Sequence, residues 1–512
     1  MAASPLTPIS LAAPGFFGLN TQEASVNVQQ NFALVANNAV IDSYGRVGAR
    51  KGFSTLSDAD AADVIYCVHE HINKDGTEQI YFVGGNQIYT MAVDGTTASV
   101  HTIASPPDDS NWQPLSFNGN LYLFHEGKDP LVEDIVGATG WNTLSSYSAM
   151  PTGVTQAGVG LSAYGRIWMA RTNLNKTTVY WSDTLIGTVF NSYAGGSGGA
   201  AGSIDLENVF TNGTDEITHL AAFNNFLVIF CKKSVIIYKG AQDPSTMAVE
   251  DVIDGVGCIS RDTVQDIGTD ILFLSDTGVR SLGRVIQEKS SPMRDISRNV
   301  RDQLLNEVNN EGGLIQSVYY EKDAFYLLTI PSLQKVWCFD IRSGLEDGSF
   351  RVTTWTSPNL NTFCVTRSRK LLIGTSLRVS EFGGYRDNGD PYTMSYYTTY
   401  LDAGAPSNLK MLKDASFLFV GGSGETFSVK WDVDYGSNYA SQVFSFPESA
   451  TGEYGVDEYG IAEYSIGAII NRKGITLSKT GRVFQLGVEV VVDGSPLSIQ
   501  QIDIFVKGGR TI

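Results

Sequence analysis

Two imidazoles flanking a carboxylate, in the run His69-Glu70-His71, are the residues of this chain best spaced for chemistry. Side chains alternate along a strand, so His69 and His71 share a face and could fill two positions of a tetrahedral zinc. Further ligands would have to come from His101, His125, His219 or a distant carboxylate, and no motif points to one. The competing expectation is a surface pair at the rim of a sheet. Asp387, Asp390, Asp432 and Asp434 resemble fragments of calcium loops, but the full ladder with its closing Glu is missing, so turn formation accounts for them. Asp183, Asp276 and Asp340 could in principle supply the two carboxylates of a glycosidase, yet each lies where a turn between strands wants Asp anyway. The chain has no H-E-x-x-H and no Walker-type lysine loop. We therefore expect no catalytic, cofactor-binding or metal-ligating residues.

Bulk properties narrow the class. Cys67, Cys231, Cys258, Cys338 and Cys364 are odd in number, scattered and free of C-x-x-C pairing, which argues against zinc clusters and a disulfide framework and for reduced core thiols. A formal net charge of −18 argues against a protein that grips nucleic acid by neutralising phosphates. The same charge suits solubility, or an acidic wall past which nucleic acid slides without sticking. No stretch approaches the roughly 18 apolar residues that span a bilayer, and the opening shows no basic region followed by an apolar run. The expectation is a soluble product made in the cytosol.

The elements that must position these residues are hairpins. One reads Phe117-Asn118-Gly119-Asn120-Leu121-Tyr122-Leu123-Phe124: an apolar arrival, a polar turn and an apolar departure. Departing strands recur at 80–82, 121–123, 167–169, 227–229, 271–273, 325–327 and 371–373, in steps of 41, 46, 60, 44, 54 and 46 residues. Repetition at about 40 to 50 residues with strands marks propeller blades, small sheets that cannot bury both faces alone. The fold class is thus all-β, a β-propeller of six or seven blades over residues 56–386. Within it, Ile296, Val300, Leu304 and Val308 fall at spacing four and predict an inserted amphipathic helix near 295–308. Residues 1–55 read as an extended N-terminal arm and strand, a candidate to close a later sheet or complete the C-terminal module. Residues 387–512 read as a separate β-sandwich-like module, with strands at 394–401, 415–420, 427–433, 483–492 and 497–506.

Three stretches in order resemble one family. The first is Gly15-Phe16-Phe17-Gly18-Leu19-Asn20-Thr21-Gln22, then Asn37-Asn38-Ala39-Val40-Ile41-Asp42, Gly45-Arg46 and Arg50-Lys51-Gly52-Phe53. The second is Gly165-Arg166-Ile167-Trp168-Met169-Ala170, leading to Val179-Tyr180-Trp181-Ser182-Asp183. The third runs from Leu227 through Ser234, Tyr238 and Gly240 to Gly257-Cys258-Ile259-Ser260 and Phe273-Leu274-Ser275-Asp276-Thr277-Gly278-Val279. Together they resemble the tail-hub or nozzle proteins of short-tailed bacteriophages, the group that includes the packaged-DNA stabilisation proteins.

The resemblance implies a virion tail protein, assembled in the host cytoplasm. Six copies would form a ring below the portal and its adaptor, continue the DNA-exit channel, retain packaged DNA and carry fibres, a spike or a needle. It brings no catalytic residues and implies passing genomic DNA without specific binding. Six blades would be the family expectation, so the seventh hairpin could be an edge pair outside the ring. Candidate lumen segments are Asp108-Asp109, Asp205-Leu206-Glu207 and the loop at 195–202. Two other readings stay open. One is a carbohydrate-active propeller, a depolymerase or glycosidase, although Ser275-Asp276-Thr277-Gly278 is its nearest box and lacks the full pattern. The other is a cytosolic protein-interaction propeller, although the Trp-Asp repeat ends are absent.

Overall fold

The computed structural model describes residues 6–511 apart from 26, 93, 135–139, 148–149, 192–200, 211–212, 289–294, 312–313, 357–359 and 448–469. The chain is a β-propeller fused to a two-sheet sandwich.

Each of the seven recurring triplets is the second strand of its own sheet. Blade 1 comprises Ile65–Ile72, Glu78–Gly84, Gln87–Met91 and Thr97–Thr102, from the axis outward. Blade 2 comprises Gln113–Phe117, Asn120–Phe124, Leu131–Asp134 and Gly140–Thr143; blade 3, Ala157–Ala163, Arg166–Thr172, Thr178–Trp181 and Gly202–Asp205. Blade 4 comprises Ile217–Phe223, Phe226–Cys231, Ser234–Lys239 and Ala248–Asp254. Blade 5 is short, with Gln265–Asp266, Ile271–Ser275 and Gly278–Ser281 behind a 3-10 turn at Arg261–Thr263. Blade 6 comprises Gln316–Tyr320, Phe325–Ile330, Lys335–Asp340 and Arg351–Thr356. Blade 7 comprises Thr362–Val365, Leu371–Gly374 and Val379–Phe382, and its outermost strand is Phe53–Thr55 from the start of the chain. The wheel thus has six four-stranded blades and a three-stranded one. The copy at 271–273 lies within the ring, not outside it.

The second strands read as unbroken apolar runs because both their faces are covered. Leu121 and Leu123 pack toward blade 1, while Tyr122 and Phe124 pack toward blade 3. Likewise Leu227 and Ile229 face blade 3, and Val228 and Phe230 face blade 5. Each such side chain withdrawn from water is worth about 1.5–3 kcal/mol, so neighbouring blades hold one another in place. The hairpins entering these strands in blades 2, 3 and 4 turn through Asn118-Gly119, Tyr164-Gly165 and Asn224-Asn225, both residues of each pair having positive φ. That is the turn geometry matching the twist of paired strands.

Between blades 5 and 6 lie two helices, α1 (Leu282–Glu288) and α2 (Arg301–Glu311), the latter preceded by a 3-10 turn at Arg298–Val300. Ile296, Val300, Leu304 and Val308 are all buried, as their spacing predicts. The helical span begins at 298, not 295. Ile296 is buried as a strand neighbour, its N–H donating to Val279 O, and the Asp295 carboxylate faces Arg280 and Arg301.

The strands beyond 387 do not form a free-standing module. One sandwich sheet runs Ile470–Thr476, Asn408–Gly421, Leu497–Thr511, Val47–Ala49 and Ala39–Ile41, with Leu6–Ala12 added along Leu497–Thr511. The other continues blade 6 outward from Arg351–Thr356 through Gly18–Leu19, Phe32–Asn37, Tyr392–Thr398, Phe484–Val492, Thr426–Val433 and Ala440–Ser445. Phe417 and Phe419 of the first sheet meet Phe427 and Val429 of the second in one core, the Phe419 and Phe427 rings 4.6 Å apart. The first 55 residues therefore contribute strands to both sandwich sheets and to blade 7.

Candidate functional site

The axial mouth of the wheel holds the densest polar cluster. Arg261, on the 3-10 turn that opens blade 5, reaches across to blades 2 and 3. Its Nη1 donates to Gly158 O at 3.0 Å, its Nη2 to Asn111 O at 2.9 Å, and its Nε to Asp262 Oδ1 at 2.8 Å. Asn111 Nδ2 donates to Asp262 Oδ2 at 3.0 Å, and Gln316 Nε2 from blade 6 donates to Asn111 Oδ1 at 2.9 Å and to Tyr66 O of blade 1 at 2.7 Å. Five blades are thus tied by side chains that converge on the axis. The Arg261 side chain is only 10% exposed.

Beside this clasp opens a cavity of about 380 Å³ lined by His125, Glu126, Arg171 and Ile315 among others. Its charges are matched locally. His125 Nε2 lies 2.7 Å from Asp109 Oδ1, and that hydrogen bond holds the Asp109 carboxyl below its ordinary range. Glu126 takes ion pairs from Arg171 and Lys176 at 2.6 and 3.0 Å. These contacts fasten the wall of the cavity to the inner strands of blades 2 and 3. Arg261, Asn111 and Gln316 carry no sequence signal, because each stands alone in an irregular segment or at a strand start.

His69 and His71 do share a face, on the inner strand of blade 1, and both meet Ser116 of blade 2. His69 Nε2 and His71 Nδ1 each lie 2.8 Å from the one Ser116 Oγ. The expected surface pair is corrected in part: His71 is fully buried, wedged edge-on against Tyr81. Burial, with His71 close by, pushes His69 down to about 4, and burial also lowers His71. Both rings are therefore neutral near pH 7. The third ligand a zinc would need is not supplied: His101 stacks on Trp141, His125 is at the axial mouth and His219 lies against Phe230 in blade 4. Among the described residues no three His, Cys, Asp or Glu side chains gather as a metal site.

The remaining candidates are dispersed. Asp183 closes a turn between the third and fourth strands of blade 3, Asp276 accepts from Ser275 Oγ in a blade 5 turn, and Asp340 pairs with Arg342 in blade 6. Asp387 binds Arg50, and its backbone bridges Asp390. Asp432 pairs with Lys479, and Asp434 accepts from the N–H groups of Arg482 and Val483. Of the lumen candidates, Asp109 is at the axial mouth and Asp205 ends the outer strand of blade 3; residues 195–200 lie outside the described residues. All five cysteines are free, four of them buried, and burial raises each thiol, Cys258 to about 11.

A second polar cluster sits where propeller and sandwich join. Arg50 is buried and donates to both oxygens of Asp387, to Asn38 Oδ1 and to Lys51 O. Asn38 in turn donates to Thr393 O and accepts from the Thr356 N–H. At Gly18, φ is +81° and a Cβ would stand 2.4 Å from Val352 O, so only glycine lets the two-residue strand Gly18–Leu19 bridge blade 6 to the sandwich.

No protein-family profile matches the chain, and no curated protein matches it. Among solved structures it is similar to a streptogramin B lyase, at 12% identity over 64% of this chain and 95% of that one, with a TM-score of 0.36. It is similar also to virginiamycin B lyase from Staphylococcus aureus, at 10% identity over 65% and 98%, TM-score 0.36. A third is the Pan2 WD40 domain of Neurospora crassa, at 8% over 65% and 96%, TM-score 0.38. Similarity at this level carries nothing about activity; the propeller rests on the seven sheets themselves.

Proposed function

We propose that this chain is a structural protein of a short-tailed phage virion, a tail hub or nozzle. In this reading six copies form a ring that continues the DNA-exit channel below portal and adaptor. The ring retains the packaged genome and anchors fibres, a spike or a needle. The protein acts in the tail after assembly in the host cytoplasm and performs no catalysis.

The observation that carries the reading is the work done by the residues bearing the family resemblance. Gly18, Asn38, Arg50 and Gly52 build the joint between wheel and sandwich, with Arg50 locked onto Asp387 and no room for a Cβ at Gly18 or Gly52. Residues used this way serve a rigid part that bears load. Two physical points agree. Arg261 bridges the propeller axis, so a conduit would have to form between copies, as a ring provides. A net charge of −18 gives genomic DNA little to bind while it passes. Among the described residues no helix is long and apolar enough to cross a membrane.

The test is assembly. The full chain should form a ring of six times the 55.4 kDa monomer, alone or on a portal–adaptor complex, by mass photometry and electron microscopy. A chain that stays monomeric and ignores such complexes would sink the reading. The carbohydrate-active alternative predicts cleavage of polysaccharide that carboxylate substitution abolishes. Asp276 accepts from Ser275 Oγ and Asp340 pairs with Arg342, so each is engaged locally.

A further inference from the structure

Four tyrosines follow one another along the sandwich, from the sheet that continues blade 6 to the turn after Thr426–Val433. The Tyr397 ring lies over Gly487 of the neighbouring strand, where a Cβ would stand 2.3 Å from it, so only glycine leaves the ring room. That ring meets Tyr439 edge-on at 5.8 Å. Tyr439 borders Tyr400, and the rings of Tyr400 and Tyr435 lie 4.4 Å apart. None of the four is buried, and Tyr435 is 48% exposed. The turn that presents Tyr435 is held against its own preference. Asp434 and Tyr435 both have positive φ, which residues with side chains disfavour, and the Asp434 carboxylate fixes the turn by accepting the N–H groups of Arg482 and Val483. Backbone strain kept in place this way is found where a surface is used.

The row ends in a cleft of about 730 Å³, within the range of sites for small ligands. Tyr400 and Tyr435 meet Pro406, Leu409 and Val483 there, and the polar groups are Asp402, Asp434 and Arg482. The charges balance. Two carboxylates stand against the Arg482 guanidinium and the Lys410 ammonium, which lies buried behind the wall on the carbonyls of Ala405, Asn408 and Arg482. Asp402 spends its Oδ1 on the Gly404 N–H and Asp434 its Oδ1 on Arg482 and Val483, which leaves each a second oxygen as acceptor. Arg482 is exposed and offers its N–H fork.

A wall whose charges cancel gives little hold to a polyanion or to a basic peptide. It suits an uncharged ligand with an apolar face and a hydroxyl rim. The C–H face of a pyranose rests on an aromatic ring, whose negative face attracts the C–H hydrogens. Its hydroxyls donate to carboxylates and accept from a guanidinium. Four rings in succession suit several linked sugars better than one. We propose that the tyrosine row and its cleft bind an uncharged oligosaccharide, with Tyr400 and Tyr435 as the stacking platform and Asp402, Asp434 and Arg482 as hydroxyl partners. The site belongs to a single chain and stands apart from the ring reading above.

The experiment is saturation-transfer NMR on the full chain with maltohexaose, cellohexaose, mannohexaose and chitohexaose, followed by titration. At least one should bind with a Kd of about 1 mM or tighter. Tyr435→Ala and Arg482→Ala should each weaken that binding about tenfold or more, a loss of one decade in Kd. Tyr435→Trp, which keeps an aromatic face on the same turn, should retain it, and this separates lost stacking from a disturbed fold. Tyr44→Ala, which removes a 70% exposed tyrosine from the turn between Ala39–Ile41 and Val47–Ala49, should change nothing. The proposal is overturned if none of the four sugars binds, or if binding survives both Tyr435→Ala and Arg482→Ala. It is overturned equally if the cleft takes heparin or a decaproline peptide in place of the neutral sugars.

Discussion

Arg50 and Asp387 face each other as a two-pronged ion pair, Nη1 to Oδ1 at 2.8 Å and Nη2 to Oδ2 at 2.5 Å, with the arginine side chain 1% exposed. They stand 337 residues apart and fasten the opening segment to the point where the chain leaves blade 7. The guanidinium also lies 4.2 Å from the Tyr392 ring centroid. Removing one partner strands the other charge out of water. We expect Arg50→Met or Asp387→Asn to cost about 3–5 kcal/mol, measured by denaturant unfolding. Arg50→Lys should be nearly as damaging, because an ammonium cannot make the fork. Arg50→Met/Asp387→Leu should be milder than either single change, and a double variant as unstable as the sum would count against the account.

Arg261 should matter to the wheel in a different way. Arg261→Ala removes donors to Gly158 O and Asn111 O and leaves Asp262 without its ion-pair partner. A loss of about 3 kcal/mol is expected. Because the lost bonds tie the inner strands, amide exchange should rise at the axial ends of blades 2, 3 and 5 before it rises at the rim. Uniform loosening would contradict a clasp.

Acid should loosen the seam between blades 1 and 2 and the inner strand of blade 4. Burial holds His69 at about 4 and His219 at about 4, and it lowers His71, whereas a free imidazole titrates near 6.5. From pH 6.5 down to about 4 the unfolded chain binds protons that the folded chain refuses. The stability from these residues is therefore complete above 6.5 and is lost progressively as pH falls through that window. Melting temperature against pH should slope accordingly, and His69→Gln/His219→Gln should flatten part of the slope. An unchanged slope in that variant would show that carboxylates alone set it.

The wheel was legible because its second strands are covered on both sides, which writes continuous apolar triplets such as Leu121-Tyr122-Leu123 after an Asn-Gly turn. The shared face of His69 and His71 was legible for the simpler reason that strand side chains alternate. Their common partner was not, since Ser116 belongs to the next blade. The clasp was invisible for the same reason: Arg261 lies 150 residues from Asn111, and only closure of the ring brings them together. The fusion of wheel and sandwich hid in a strand of two residues, Gly18–Leu19, too short to leave a periodic mark. The helix start slipped by three residues because Ile296 meets the helical spacing while spending its N–H on Val279.

Closure of the wheel depends on Phe53–Thr55, the outer strand of blade 7, which pairs with Val379–Phe382. Phe53 is 6% exposed and packs in the core that holds Phe325, Trp355, Phe363 and Phe382. Phe53→Ala leaves a cavity where chain start and propeller end are joined, and should cost about 3–4 kcal/mol. Its effect should also be local before it is global. Blade 7 is held to its neighbours by packing and by a few bonds, among them Thr329 Oγ1 to Leu360 O on the blade 6 side and the N–H groups of Ile65 and Arg367 to Ser376 O and Glu70 Oε2 on the blade 1 side, so once its outer strand frays the seams on either side lose support. Hydrogen exchange should therefore accelerate first across 362–382 and 53–55, while blades 2 to 4 keep their protection until the global transition. If instead all blades lose protection together at low denaturant, the wheel is a single cooperative unit and the first strand is no latch.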